Sequence, residues 1–374
     1  MEHWRRVVCC LACASCTVTA VSGAEIQPFT VDSTPFLALG GYHSAHNTDI
    51  FCLFSNPAAL DAVQYRSLFQ LGLGAIGSIE EDLALLRAMG NGEAADADMV
   101  AGYAKSALGY TPPFLYMNGP FAIGYAAKGF GAAVFNRVFY DAALYRKRWT
   151  INMNIDLTGA AGWALNLVDN YTHKLDAGLG VRLHGRYMFN VLSQNVAALP
   201  KEPGPGDAAS RADKIVLGLG TSVGVMYRFR SLLTLGIDCD DVFAPYLFLF
   251  LIDKESGEDD FALGRQKLNV GFSITPVENA FARLTIMADA RDILAMAGVS
   301  GEGREAALFF SAGIEAIFSG LLTVRAGLKD LLPAAGLGYN FGTFSIEAAF
   351  YGKEFGITAG QRAVYALDLG FRFY

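Results

Sequence analysis

Along most of the chain, apolar and polar residues alternate one for one. In "WTINMNIDL" the positions Trp149, Ile151, Met153, Ile155 and Leu157 are apolar, while Thr150, Asn152, Asn154 and Asp156 are polar. A period of two is that of a β-strand, whose successive side chains point to opposite faces. "LDAGLGVRLHGRYMFN" repeats the rhythm, with Leu175, Leu179, Val181, Leu183, Tyr187 and Phe189 on one face and Asp176, Arg182, His184, Arg186 and Asn190 on the other. A slip of one residue would turn three basic side chains onto the apolar face, so the register is strongly specified. The same rhythm predicts fourteen strands, at 66–78, 114–126, 129–140, 149–167, 175–190, 215–229, 232–242, 264–275, 280–291, 307–318, 321–329, 335–341, 343–351 and 362–373.

The connections alternate as well. Those at 79–113, 191–214, 243–263 and 292–306 are long, whereas Ala127-Lys128, Arg230-Ser231, Pro276 to Asn279, Ser319-Gly320 and Gly342 are short. An even number of strands with long loops at one end and tight turns at the other is the pattern of an outer-membrane barrel. Closure has a direct cause: hydrocarbon offers no water to an unpaired backbone N–H or C=O, and a closed sheet has no edge. The expected fold is therefore an all-β, transmembrane antiparallel β-barrel of about fourteen strands, with lipid on the apolar side and an occupied lumen on the other. A soluble β-sandwich would show the same alternation, but it gives no reason for small residues on the polar face, such as Gly178, Gly180, Gly218, Gly220, Ser222 and Gly224.

Composition agrees. Hydrophobic residues make up 53% and charged residues 17%, with 41 Gly and 27 Phe, which excludes a disordered chain. A net charge of −7 without clustered Lys and Arg excludes a general nucleic-acid binder. Residues 1–24 read as an export signal, with Arg5 and Arg6 before an apolar run from Val7 to Val21 and the small residues Ser22-Gly23-Ala24. Acylation at Cys13 or Cys16 is the alternative reading of that leader. Only Cys52 and Cys239 lie beyond it, too few for a disulfide framework or a four-cysteine zinc site.

Several motifs suggest chemistry that their context does not support. "GLGAIG" (Gly72, Gly74, Gly77) lacks the parallel βαβ unit of a dinucleotide site, and "GTSVG" places Ser222 in mid-strand rather than at a strand-to-helix elbow. His43 and His46 have no defined further ligands and read as a hydrogen-bonded polar segment. Asp240-Asp241 and Asp259-Asp260 read as solvated strand ends and loops. No catalytic constellation, cofactor site or metal site is expected. "IEEDLALLRAM" (Ile79 to Met89) predicts a short helix in the first long loop.

Residues 25–65 fit no strand. In "SNPAAL", Asn56 is placed to cap a short helix and Pro57 to occupy its first position. With the Asn56-Pro57-Ala58 triplet, the preceding "LALGGYHSAHNTDIF" and the fourteen strands of 66–374, the chain resembles the FadL family of outer-membrane transporters for long-chain fatty acids and other hydrophobic molecules, in particular its spirochaetal members. The resemblance implies that 25–65 is a hatch plugging the barrel, and that ligand is captured outside, passes passively and leaves sideways through a kinked third strand. Gly129, Gly131, Asn136 and Arg137 are the matching positions for that gate, although Gly129 reads equally as completing the Lys128-Gly129 turn. It also implies, as partners, a long-chain fatty acid or other hydrophobic molecule, outer-membrane lipid and the barrel-assembly machinery. Arg182, His184 and Arg186 are the densest basic patch for a ligand carboxylate, with Arg283 and Arg325 as further candidates, although luminal Asp156, Asp176 and Glu315 would also balance such charges. Two departures stand out: Tyr365, Leu367, Leu369, Phe371 and Phe373 lie one position off the register of the terminal Tyr374, and the long helix-bearing first loop is closer to relatives that serve as scaffolds or secretion accessories. A non-transporting adhesin or scaffold acting through loops 79–113 and 191–214 is therefore the competing function.

Overall fold

A computed structural model describes residues 33–46, 49–63, 66–76, 116–117, 122–145, 148–195, 211–250, 261–298, 305–354 and 363–373. The proposed leader, the predicted helix at 79–89 and most of the first long loop lie outside the described residues.

Neighbouring strands pair antiparallel around a full circle, making fourteen barrel strands. They are β1 (Arg66–Ile76), β2 (Tyr116–Met117 and Ala122–Ala127), β3 (Phe130–Tyr145), β4 (Arg148–Asp169), β5 (His173–Asn195), β6 (Arg211–Phe229) and β7 (Leu233–Asp240 and Pro245–Phe250). Then follow β8 (Phe261–Leu263 and Lys267–Glu278), β9 (Ala282–Ala290), β10 (Phe310–Phe318), β11 (Leu322–Lys329), β12 (Leu332–Asn340), β13 (Phe344–Glu354) and β14 (Ala363–Phe373). The ring closes where β1 pairs β14 from Phe69↔Phe373 to Ile76↔Ala366, while the other edge of β1 pairs β2.

The two-residue rhythm decides which side each residue faces. On β14, Tyr365, Leu367, Leu369, Phe371 and Phe373 are exposed on the outside, and Ala366, Asp368 and Arg372 are buried inside. On β4, Leu157, Trp163 and Leu165 face out while Asn154, Asp156 and Thr158 are buried. An outside that is apolar and an inside that is polar, in a sheet with no edge, is the arrangement a bilayer requires. No helix among the described residues is long and apolar enough to cross a membrane.

The strands are unequal. β9 to β12 hold 8 or 9 residues, close to a bilayer crossing, whereas β4 and β5 hold 22 and 23 and extend beyond it at the long-loop end. Two of the expected long loops are thereby shortened. β5 continues to Asn195 and β6 begins at Arg211, and "PYLFLF", expected within the loop at 243–263, is the outer half of β7, paired with β6 from Gly218↔Tyr246 to Lys214↔Phe250. Its alternation is hidden because it is apolar on both faces.

Candidate functional site

Residues 33–46 and 49–63 sit inside the ring, packed on its inner face at the place expected of the plug. Helix α1 (Thr34–Ala38) and the 3-10 turns Ile50–Phe54 and Pro57–Asp61 are almost wholly buried. Asn56 caps the second turn as its sequence predicts: its Oδ1 accepts from the Ala58 N–H at 3.0 Å, and Pro57 occupies the first position. The Asn56 Nδ2 donates to the Ser44 carbonyl at 3.0 Å and to the Val225 carbonyl of β6 at 3.1 Å, so one side chain ties the two limbs of the plug to the wall.

The inward glycines find their reason here. A Cβ on Gly178 would strike the Pro57-Ala58 backbone, on Gly224 the Asn56 amide, on Gly236 the Ser44 carbonyl, and on Gly327 the Leu39-Gly40 backbone. The plug lies directly on the strand backbones, and no larger residue leaves it room.

Its apolar contacts concentrate on two arcs, although Met226 of β6 and Met287 of β9 also join its apolar cluster. Phe51, Leu53, Phe54, Leu60 and Val63 pack against Ala122, Ala126, Ala133, Phe135, Ala160 and Ala164 of β2 to β4, and Leu37 and Ala38 pack against Ala334, Ala349 and Ala366 of β12 to β14. The polar ties run largely to the opposite arc. His43 is bonded through Nδ1 to Asp289 of β9 and through Nε2 to the Leu39 carbonyl; Arg291 donates to the Gly40 and Tyr42 carbonyls at 3.0 and 2.7 Å. His46 lies 3.5 Å from Glu315 of β10, and Ser273 of β8 donates to the Ala45 carbonyl at 3.2 Å. On β14, Asp368 bonds Thr34, and Arg372 donates to Asp49 at 3.1 Å.

Arg182, His184 and Arg186 all face the lumen from β5 and are buried. Arg186 grips Asp156 of β4 with a two-pronged bond, at 2.6 and 2.8 Å. Arg182 reaches Asp240 and Asp241 of β7 at 3.1 and 3.2 Å and lies over the Phe54 ring of the plug at 5.9 Å. His184 Nδ1 is 3.1 Å from the Thr158 hydroxyl. Asp240 and Asp241 are thus partners of a buried cation rather than the solvated strand end expected of them. Arg325 bridges Glu315 and Glu347 at 2.9 and 2.6 Å, Arg283 lies 4.0 Å from Glu315, and Arg228 pairs with Asp176. Like the plug ties, these pairs satisfy charges in a confined lumen, where an isolated ion would be costly.

At the third strand, Gly129 adopts φ 79 in the β2–β3 turn, and Gly131 faces the plug, where a Cβ would meet Leu60 at 2.8 Å. Pairing of β3 with β4 runs unbroken from Phe130↔Trp163 to Tyr145↔Arg148, through Asn136↔Leu157 and Arg137↔Asp156. On its other edge the register moves: Ala122 pairs with Phe135 but Met117 pairs with Val138, so the β2 side takes two more residues than β3 beside Asn136 and Arg137. The irregularity belongs to the neighbour strand, which is why the β3 sequence alone does not locate it.

Near the long-loop end, Met188, Val216, Ala244, Tyr246, Phe248 and Ala262 form an apolar cluster on the inside of β5 to β8. Its legible signal is the two-sided apolar run of β7: a strand apolar on both faces puts a hydrophobic surface in the lumen.

No family model and no curated protein matches the chain. Solved structures do. The P. putida toluene transporter TodX is similar over 92% of this chain and 98% of its own, at 13% identity and a TM-score of 0.50. The Ralstonia pickettii toluene transporter TbuX matches over 92% and 98%, at 12% identity and a TM-score of 0.49. A Pseudomonas aeruginosa FadL homologue matches over the same shares at 12% identity and a TM-score of 0.44. At such identities the likeness is one of architecture, and in architecture this chain is similar to TodX, as the FadL resemblance in its sequence implies.

Proposed function

We propose that the protein is an outer-membrane channel for the passive uptake of hydrophobic small molecules, with residues 25–65 as its hatch and residues 1–24 as its export signal. One observation carries the reading: the apolar cluster of Met188, Val216, Ala244, Tyr246, Phe248 and Ala262 lies on the luminal face at the long-loop end, beside the ion pairs of Arg182 and Arg186. A polar, water-filled lumen has no need of apolar side chains there, whereas an apolar solute that parts the buried cluster gains about 0.8 kcal/mol for each CH₂ it buries. That the similar structures include toluene transporters supports the same reading. A scaffold acting through its loops would not need the cluster.

The charge inventory favours a neutral solute over a fatty acid. Arg182 and Arg186 on β5 are already paired, so a carboxylate head binding to them would compete with Asp240, Asp241 and Asp156. On this reading the solute passes the hatch and leaves sideways into the membrane, with the β2–β3 seam beside Asn136 and Arg137 as the proposed gate. Outer-membrane lipid and the barrel-assembly machinery are the other proposed partners.

The test is uptake of radiolabelled toluene and, separately, oleate by cells whose lipopolysaccharide leaflet slows apolar solutes. Expression of the full chain should speed toluene entry, and Phe248→Asp should abolish the gain. Entry no faster than in cells lacking the protein, together with no rise in ion conductance when residues 25–62 are deleted, would refute a plugged channel.

A further inference from the structure

The barrel wall is interrupted at one height in two adjacent strands. β7 stops at Asp240 and resumes at Pro245, and β8 stops at Leu263 and resumes at Lys267. Asp241 turns the chain with φ 55, a left-handed conformation that non-glycine residues seldom adopt. Pro245 can give no ladder hydrogen bond, and proline within a sheet is confined to such edges and bulges. The loosened backbone is retied locally: the Val242 N–H donates to the Thr221 carbonyl at 2.9 Å, the Thr221 N–H to the Phe243 carbonyl at 3.1 Å, and the Gly264 N–H to the Ala244 carbonyl at 2.6 Å.

Tyr246 lies against this break from inside, beside Arg182, which bonds Asp240 and Asp241. A Cβ on Gly218 of β6 would lie 2.6 Å from Tyr246 Cδ1 and Cε1, and a Cβ on Gly264 would lie 2.6 Å from its Cε2. The tyrosine therefore lies across a glycine on either side. On the outer side of the same spot is a cleft of about 420 Å³, with Leu183, Leu217, Leu247 and Phe261 at its flanks and His184 and Tyr246 at its floor. Gly218 is 11 residues from the end of β6 at Phe229. That is roughly 28 Å along the axis for a strand rising about 3.3 Å per residue at about 40° tilt, close to the outer edge of a ~25 Å apolar band.

We propose that this cleft is a lateral binding site for a small neutral apolar molecule at the outer-leaflet level, and that Tyr246 is the door between it and the luminal apolar cluster. Its volume is within the range of small-molecule sites. The choice of a freely diffusing solute over a lipid chain rests on continuity: Tyr246 belongs both to the cleft floor and to the cluster of Val216 and Phe248 within. A surface groove that merely seats acyl chains needs no such passage. The inference rests on the channel reading and adds to it a port remote from the β2–β3 seam.

The test uses the full chain in phosphatidylcholine vesicles with Trp4, Trp149 and Trp163 replaced by Phe and a reporter tryptophan placed by Leu183→Trp. Bromobenzene should quench it saturably, above the linear background given by Ile314→Trp on the outer face of β10, and added Leu217→Phe should remove the saturable part. Linear quenching equal at both positions would overturn the site. Saturating quenching by lipid brominated in its acyl chains, undisturbed by excess toluene, would overturn the choice of occupant. In cells, Gly218→Leu, which wedges the ring, should lower toluene entry several-fold while Ile314→Trp leaves it unchanged; no effect of Gly218→Leu would overturn the door. If the unaltered protein speeds no entry, the channel reading fails, while the quenching still decides the site.

Discussion

Replacing Asn56 by alanine should unlatch the plug. The side chain is fully buried and makes three bonds, to the Ala58 N–H and to the Ser44 and Val225 carbonyls, at 3.0 to 3.1 Å. Alanine leaves all three backbone partners unsatisfied. At about 1 kcal/mol for each, the low end for an abandoned buried group, the seated state loses about 3 kcal/mol, or roughly 100-fold in the seated-to-displaced ratio. Cys52 reports the change, because it is fully buried in the plug and burial, with Asp49 close by, pushes its thiol well up from the ordinary range. In a background where Cys52 is the one cysteine left of the six, a water-soluble maleimide should label it slowly in the otherwise unaltered protein and on the order of 100-fold faster with Asn56→Ala. Asn56→Asp, which keeps the cap but cannot donate, should fall between. Labelling rates for Asn56→Ala within twofold of the parent would refute the latch.

Other changes test the same physics elsewhere. Gly178→Leu drives a side chain into the Pro57-Ala58 backbone and should raise single-channel conductance by displacing the plug, with the barrel still shifting in gel mobility on boiling; unchanged conductance would contradict the contact. Arg325→Met leaves buried Glu315 and Glu347 without their shared cation and should cost about 3–5 kcal/mol, read as a lower midpoint of heat-induced barrel opening, with Arg325→Lys recovering part of it. Leu331→Gly should raise that midpoint slightly, by about 1 kcal/mol, because Asp330 and Leu331 both have positive φ in the β11–β12 turn, where leucine is strained.

The strand pattern was legible because each strand carries its own evidence: Tyr365 to Phe373 alternate, and no distant residue is needed to read which side faces lipid. The small residues of the inner face were legible as a class, but not the fact that Gly224 makes way for Asn56 and Gly236 for Ser44, since those pairings depend on where the plug rests. Arg182 was visible as luminal, yet its partners Asp240 and Asp241 lie two strands away in sequence, where β7 breaks after Asp240. The outer half of β7 was missed for a different reason. "PYLFLF" is apolar on both faces, so it has no period, and a run without a period reads equally as loop, buried strand or short helix.

The uneven spread of plug contacts also sets the direction in which it should move. Polar ties to β8, β9 and β10 exchange for water once the lumen is wetted, at a net cost of about 0.5–1.5 kcal/mol for the neutral tie of Ser273 and about 1.5–3 kcal/mol for each of the two carboxylates, Asp289 and Glu315. Packing of Phe51, Phe54 and Leu60 on β2 to β4 has no such substitute, and each side chain stripped from an apolar seat loses about 1.5–3 kcal/mol. Hydration therefore peels the plug from the β8–β10 arc first and leaves it hinged on β2 to β4. The gap would open beside the arc that carries the luminal apolar cluster, away from the alanine-lined seat. With a single thiol introduced by Ser44→Cys or by Leu60→Cys, both in a background without the six native cysteines, the first should be labelled faster as a wetted lumen is sampled. Equal rates would mean that the plug leaves as a rigid body, and the hinge would be wrong.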